Sequence, residues 1–149
     1  MRAIERILEQ LNRAWEGEAW HGPALRTLLD GVSDEGSRAH PIAGAHSILQ
    51  IVVHCGAWMD VVSHRLIGNP RELTTEEDWR DVASMRFSDA VEELTNAEGR
   101  LCDAVARLQT GDLDAIVAGR TDTVYTTVHG AIQHNIYHAG QIALLRKLV

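Results

Sequence analysis

Cysteine is scarce in this chain. Cys55 and Cys102 are the only two, too few for the disulfide framework of a small secreted domain. Free thiols suit a reducing compartment, so a cytoplasmic location is expected. No apolar block follows a basic start: Met1-Arg-Ala-Ile-Glu-Arg-Ile-Leu-Glu-Gln-Leu is charged and amphipathic, and no secretory leader is expected. Long hydrophobic runs are missing too. The longest apolar region, residues 48–62, is interrupted by Gln50, His54 and Asp60, which argues against a membrane span. Positive charge is in deficit, with 14 Lys and Arg against 21 Asp and Glu and a net charge of -7. No basic run compensates, so nucleic acid is not an expected partner. A Gly-rich phosphate loop, a nucleophile elbow and paired zinc-ribbon cysteines are all absent, and their chemistries go with them. There is no strand alternation, internal repeat or low-complexity tract.

What remains is helical. The chain has 149 residues, 45% hydrophobic and 23% charged, which suits one soluble globular domain over residues 1–149. Ile4, Ile7, Leu8, Leu11 and Trp15 recur at helical spacing, and Gly17 and Gly22-Pro23 end that helix. Leu25, Leu28, Leu29 and Val32 form a short second stripe. Residues 30–45 read as a loop. Ser47-Ile-Leu-Gln50 is a capping box that opens a helix burying Ile51, Val52, Cys55, Met59, Val62 and Leu66, closed by Gly68-Asn-Pro70. Residues 71–87 read as a long, solvated crossover. Ser88 is placed to cap a third long helix carrying Val91, Leu94, Ala97, Leu101, Val105 and Leu108. The last helix opens within residues 121–127 and runs to about Lys147. Four long amphipathic helices with one long crossover predict an all-α four-helix bundle.

Such bundles place metal sites in the core, on facing helices. His134 and His138 are spaced i, i+4, so their Cβ atoms lie roughly 5–6 Å apart on one face. Both imidazoles can then reach one ion at ~2.0–2.1 Å. His54 borders the apolar stripe of another helix and is the best candidate for a third ligand. His46 is eight residues earlier, ~12 Å of helical rise, and cannot share the ion with it. His64 lies near the outer end of that helix, His129 points to another side and His40 falls in a loop. Gln141, three residues past His138, can orient a ligand. Asn135, Ile136 and Tyr137 separate the histidine pair, so no glutamate base is built in as in H-E-x-x-H helices. Spacing alone leaves a second reading open, in which His134 and His138 are hydrogen-bonded core residues.

Other residues carry two readings each. Cys55 should turn about 100° away from His54 into the core, and Cys102 reads as buried likewise. Trp58 either walls a pocket or packs in the core. Tyr137 either offers a phenol near the site or simply packs. Gln50 is a helix cap first, and His21 faces a pocket mouth or satisfies a helix end. Gly130 and Gly140, inside the last helix, suggest close helix approach.

Two segments carry a family resemblance. Gln133-His-Asn-Ile-Tyr-His-Ala-Gly-Gln-Ile-Ala-Leu-Leu-Arg146 and Ala45-His-Ser-Ile-Leu-Gln-Ile-Val-Val-His-Cys-Gly-Ala-Trp58 resemble the last and second helices of the DinB-like metal-binding superfamily. Trp20-His-Gly-Pro23 is similar to a stretch that follows the first helix there. The resemblance implies up-down-down-up helix order and a zinc or nickel ion on His54, His134 and His138, with open positions filled by water. It also implies thiol S-transferase chemistry with a low-molecular-weight thiol and a small-molecule substrate, and a homodimer. Two other functions fit the same ligands: hydrolysis by a metal-activated water, and a non-catalytic metal-binding or stress-related role.

Overall fold

In a computed structural model, residues 2–149 are described, and they form seven α-helices and no strand. The long ones are α1 (Ala3–Trp15), α4 (Ile48–Leu66), α6 (Phe87–Ala106) and α7 (Val124–Leu145). Between them come α2 (Leu25–Leu29), α3 (Asp34–Arg38) and α5 (Thr75–Asp78). A short 3-10 turn covers Thr110–Asp112.

The long helices make a four-helix bundle in up-down-down-up order. Gly56 of α4 faces Leu94 of α6, and Asp60 of α4 pairs with Arg100 of α6, so these two helices run parallel. A parallel pair needs the long connection read from residues 71–87. On its other side α4 meets α7 head to tail: His54 faces His134, while Met59, Val62 and Arg65 share a cleft with residues 126–131. α4 is therefore covered on several sides. It buries Ile48, Leu49, Ile51, Val52, Val53, Cys55, Met59, Val61 and Val62, which explains its nearly continuous apolar sequence. α4 and α6 pack closely at Gly56, where a Cβ would stand in ordinary contact 3.5 Å from Leu94 Cα.

Local signals set the ends of α4. Ser47 Oγ accepts the Gln50 N–H (3.2 Å) and the Ser47 N–H donates to Gln50 Oε1 (2.8 Å), the reciprocal cap expected. Gly68 closes the helix at φ +84°, a conformation that a side chain disfavours. Thr123 caps α7 through the Thr126 N–H (3.1 Å).

Four expectations are corrected. The 30–45 loop contains α3, and the crossover contains α5. Ser88 does not cap α6, which already begins at Phe87. The Phe87 N–H is instead taken by Asp34 Oδ1 of α3 at 2.7 Å. Arg38 of α3 donates to the carbonyls of Val82, Ala83 and Met85, so α3 ties the crossover to the bundle. Gly130 and Gly140 do not mark close packing, because a Cβ added at either meets nothing within 4 Å.

Ser47 is 1% exposed, so its cap cannot be replaced by water. Ser47→Ala should cost about 1 kcal/mol and Ser47→Gly only a few tenths. Thermal unfolding of both variants measures this. A Ser47→Ala variant as stable as the parent would show that the hydroxyl contributes nothing to the cap.

Candidate metal centre

The antiparallel contact of α4 with α7 brings His54, His134 and His138 together. One ring nitrogen from each lies within 4.8 Å of the others. The ring centroids are 4.5–4.9 Å apart. His54 and His138 are buried at 5% and 6% exposure, and His134 is half-buried.

The hydrogen bonds around the rings decide where their protons sit. His54 Nδ1 lies 3.0 Å from both the main-chain oxygen and Oδ1 of Asp78. Both are acceptors, so Nδ1 carries the proton and Nε2 is left with its lone pair. His138 Nδ1 lies 2.7 Å from Gln141 Oε1, and the same argument frees His138 Nε2. The protonated nitrogens thus face outward and the bare ones converge.

His134 completes the argument. Its Nε2 is 3.0 Å from His54 Nε2, and its Nδ1 is buried with no hydrogen-bond partner. With the proton on Nε2, the ring uses up the His54 lone pair and leaves Nδ1 a bare buried acceptor. With the proton on Nδ1, two lone pairs meet at 3.0 Å. Protonating the ring is opposed as well. Burial, then the neighbouring His138 and His54, push the His134 pKa down to about 4, against a smaller upward pull from Asn135 and Asp78. Burial likewise lowers His138, partly offset by Gln141. A cation among the three bare nitrogens removes the lone-pair clash. Nitrogens ~2.0–2.1 Å from one ion and roughly at right angles are about 3 Å apart, so the residues present could hold a divalent metal.

The crossover segment supplies two partners that the sequence did not reveal. Asp78 accepts from His54 and also from the Trp58 indole N–H, through Oδ1 at 2.7 Å. Trp79 stacks flat on His54, with centroids 3.9 Å apart, and on His46 at 3.5 Å. The segment read as solvated is therefore packed over the site. Thr74-Thr-Glu-Glu77 was the available signal, a capping box like that at Ser47, and it implies a helix where a loop was expected.

The remaining candidates separate cleanly. Trp58 is half-buried and shares a cleft with His134. Gln141 holds His138, as above. Tyr137 does not line the site: it is 66% exposed, its ring edge-on to His138 at 5.1 Å. Gln50 is committed to the Ser47 cap and to His40 Nε2 (3.1 Å). His21 is exposed in a separate cleft with Trp20, Ile132 and Ile136, away from the three histidines. His64 bonds the Asp60 carbonyl, and His129 packs on Tyr125. Cys55 is fully buried, and burial raises its pKa. Cys102 donates to Glu98 at 2.9 Å, and burial followed by that carboxylate push it up to about 12.

A helical bundle with a buried three-histidine cluster on facing helices is the class these observations define. The chain belongs to the DinB superfamily, which it matches over residues 19–142. It is similar to a solved structure described as a conserved protein from Enterococcus faecalis, with a TM-score of 0.76 and 16% identity over 100% of this chain and 98% of that one. At that identity the likeness is one of fold. No curated protein matches the chain.

Two outcomes follow. Asp78→Asn should weaken divalent-metal affinity about 10–100-fold, because an amide is a poorer acceptor for the His54 N–H. Competition with a calibrated chelator measures this, and affinity within about threefold of the parent would assign the orientation of His54 to the Asp78 main-chain oxygen and packing instead of the carboxylate. In the metal-free protein, His134 binds its proton more weakly folded than unfolded. Its contribution is fully present above pH ~6.5 and is lost as pH falls toward about 4. His134→Gln should therefore show a shallower acid loss of melting temperature than the parent across that window. Parallel curves would contradict the depressed pKa.

Proposed function

We propose that the chain is a metal-dependent enzyme that activates a low-molecular-weight thiol for S-transfer to a small electrophile. The observation that carries this is the convergence of three imidazoles, two of them oriented by Asp78 and Gln141, beside an open cleft. That cleft has a volume of about 310 Å³ and is walled by Trp58, Met59, Val62, Ala131 and His134. Zinc or nickel bound to His54, His134 and His138 supplies a Lewis acid that makes a thiol's proton acidic near neutral pH.

The chain's own thiols support an external thiol as nucleophile. Cys55 is sealed in the core and Cys102 is held protonated beside Glu98. Thiolate is the reactive form, so neither cysteine is suited to attack. In the transfer, the thiol sulfur bonds to the electrophilic carbon, the leaving group departs with the bonding pair, and the thiol proton passes to solvent. The histidines act as ligands and not as bases, because their free nitrogens face inward. Trp58 and the apolar wall keep water from competing for the electrophile. Small molecules are the partners this reading requires. A net charge of -7 and the absence, among the described residues, of a helix long and apolar enough to cross a membrane bring in neither nucleic acid nor bilayer. The free thiols support a cytoplasmic setting.

Protein purified without added metal should contain roughly one ion per chain, and His54→Ala and His138→Ala should lose most of it. A chloronitrobenzene should be consumed only when a thiol and the metal-loaded protein are both present. Equal rates in loaded and chelated protein would end this reading. Thiol-independent, metal-dependent ester cleavage would replace it with hydrolysis. Metal uptake without turnover on any thiol or ester would leave a binding protein.

A further inference from the structure

We propose that the α4–α7 cleft binds an electrophile with a flat apolar body and a single carboxylate, the body lying on Trp58 and the carboxylate on Arg65. This deepens the transfer reading and rests on it for the reacting end of the ligand.

The cleft joins two chemistries. Trp58 and His134 stand on its wall, their ring centroids 6.1 Å apart. Arg65 lies seven residues beyond Trp58 on α4, two helical turns away, and its side chain folds back to bring the guanidinium carbon near the Trp58 ring. That spacing matches a carboxylate carried on a short chain from an aromatic ring. Met59, Val62, Gly130 and Ala131 line the same cleft. The Arg65 side chain is only 6% exposed. Its Nε donates to the Arg71 carbonyl (3.1 Å) and its Nη2 to Glu72 Oε2 (2.8 Å). Its Nη1 has no partner among the described residues, yet it is not among the sealed, unpaired atoms. A guanidinium offers five donors and recognises carboxylates by paired N–H bonds, so an Nη1 with donors to spare, on a residue of the cleft wall, is a ready anchor.

The charge count agrees. Glu72 also accepts from Arg120 Nη1 at 2.9 Å, so one carboxylate sits between two guanidinium groups and the cluster keeps one positive charge in excess. The opposing charge on the cleft is Asp122, which is exposed and therefore screened by water. Arg71 is turned toward Glu77 at 3.6 Å. Thr126, Thr127 and Asn135 add neutral polar groups to the wall. The guanidinium carbon lies 5.7 Å from the Trp58 ring, which links the cationic end to the aromatic surface. A monocarboxylate with one aromatic ring matches these features in sign, length and shape.

The test is binding of 3-phenylpropionate and of neutral 3-phenylpropan-1-ol to the chelated, full-length protein, followed by NMR titration. Chelation removes any direct contact between carboxylate and metal. The acid should bind about tenfold or more tightly than the alcohol, and Arg65→Gln should bring the two together. Arg65 is buried and paired, so a second variant guards against misfolding. Gly130→Leu fills the cleft from a position where an added Cβ meets nothing within 4 Å, and it should abolish binding of both probes. Equal affinity for acid and alcohol, no binding of either, or unchanged binding in Gly130→Leu would overturn the proposal. Because the metal is absent from this experiment, its failure leaves thiol transfer standing, and failure of turnover leaves the cleft assignment standing.

Discussion

The structure depends on one constraint: three imidazoles packed at one helix–helix contact must turn ring nitrogens toward one another. Burial opposes protonation of His134 and His138, since a charged ring loses more solvation than a neutral one and repels its charged neighbours. Acceptors behind the other face of His54 and His138 direct their protons outward. Asp78 takes the proton side of His54, and Gln141 that of His138. The two bare nitrogens meet His134, whose own Nδ1 is buried without a partner. Such an arrangement costs stability unless something occupies it.

That constraint accounts for the irregular half of the molecule. Because α4 and α6 run parallel, a long connection must return along the bundle, and a floppy return would leave His54 open to water. The connection is held at several points. Arg38 of α3 binds its carbonyls, Asp34 takes the first N–H of α6, and Arg65 and Arg120 hold Glu72 near its start. α5 is thereby positioned so that one residue, Asp78, bonds both a candidate ligand and the indole of the cleft wall. The orientation of His54 and that of Trp58 are linked through a single carboxylate.

The helices were legible because their signals are local. Apolar spacing, the Ser47–Gln50 cap and Gly68 mark positions within a turn or two of where they act. The histidine pair was legible for the same reason, since i, i+4 on a helix is a statement about one face. His54 needed the apolar stripe of α4 as a guide. Asp78 and Trp79 could not be read in this way: they lie 24 and 25 residues beyond His54 in a charged stretch, and only tertiary folding brings them to it. Tyr137 failed for the opposite reason. Adjacency to His138 in sequence means a turn of about 100° around the helix, and that turn carries the phenol into solvent.

Size alone would put the chemistry elsewhere. A cleft of about 360 Å³ opens on the other side of α4, between α6 and the crossover, and it is larger than the one beside His134. Its floor is apolar, with Val52, Val53 and Leu94, and its rim carries Arg71, Arg80 and Arg100. Each of those arginines already has an acidic partner: Glu77, Glu93 and Asp60 respectively. Paired exposed charges have little left to offer a ligand, and no histidine lines the space. The smaller cleft has the reverse properties, with a buried guanidinium that has a donor to spare and, in its wall, His134 of the three-histidine cluster. Function follows unsatisfied groups more closely than it follows volume, and in this bundle the unsatisfied groups lie between α4 and α7.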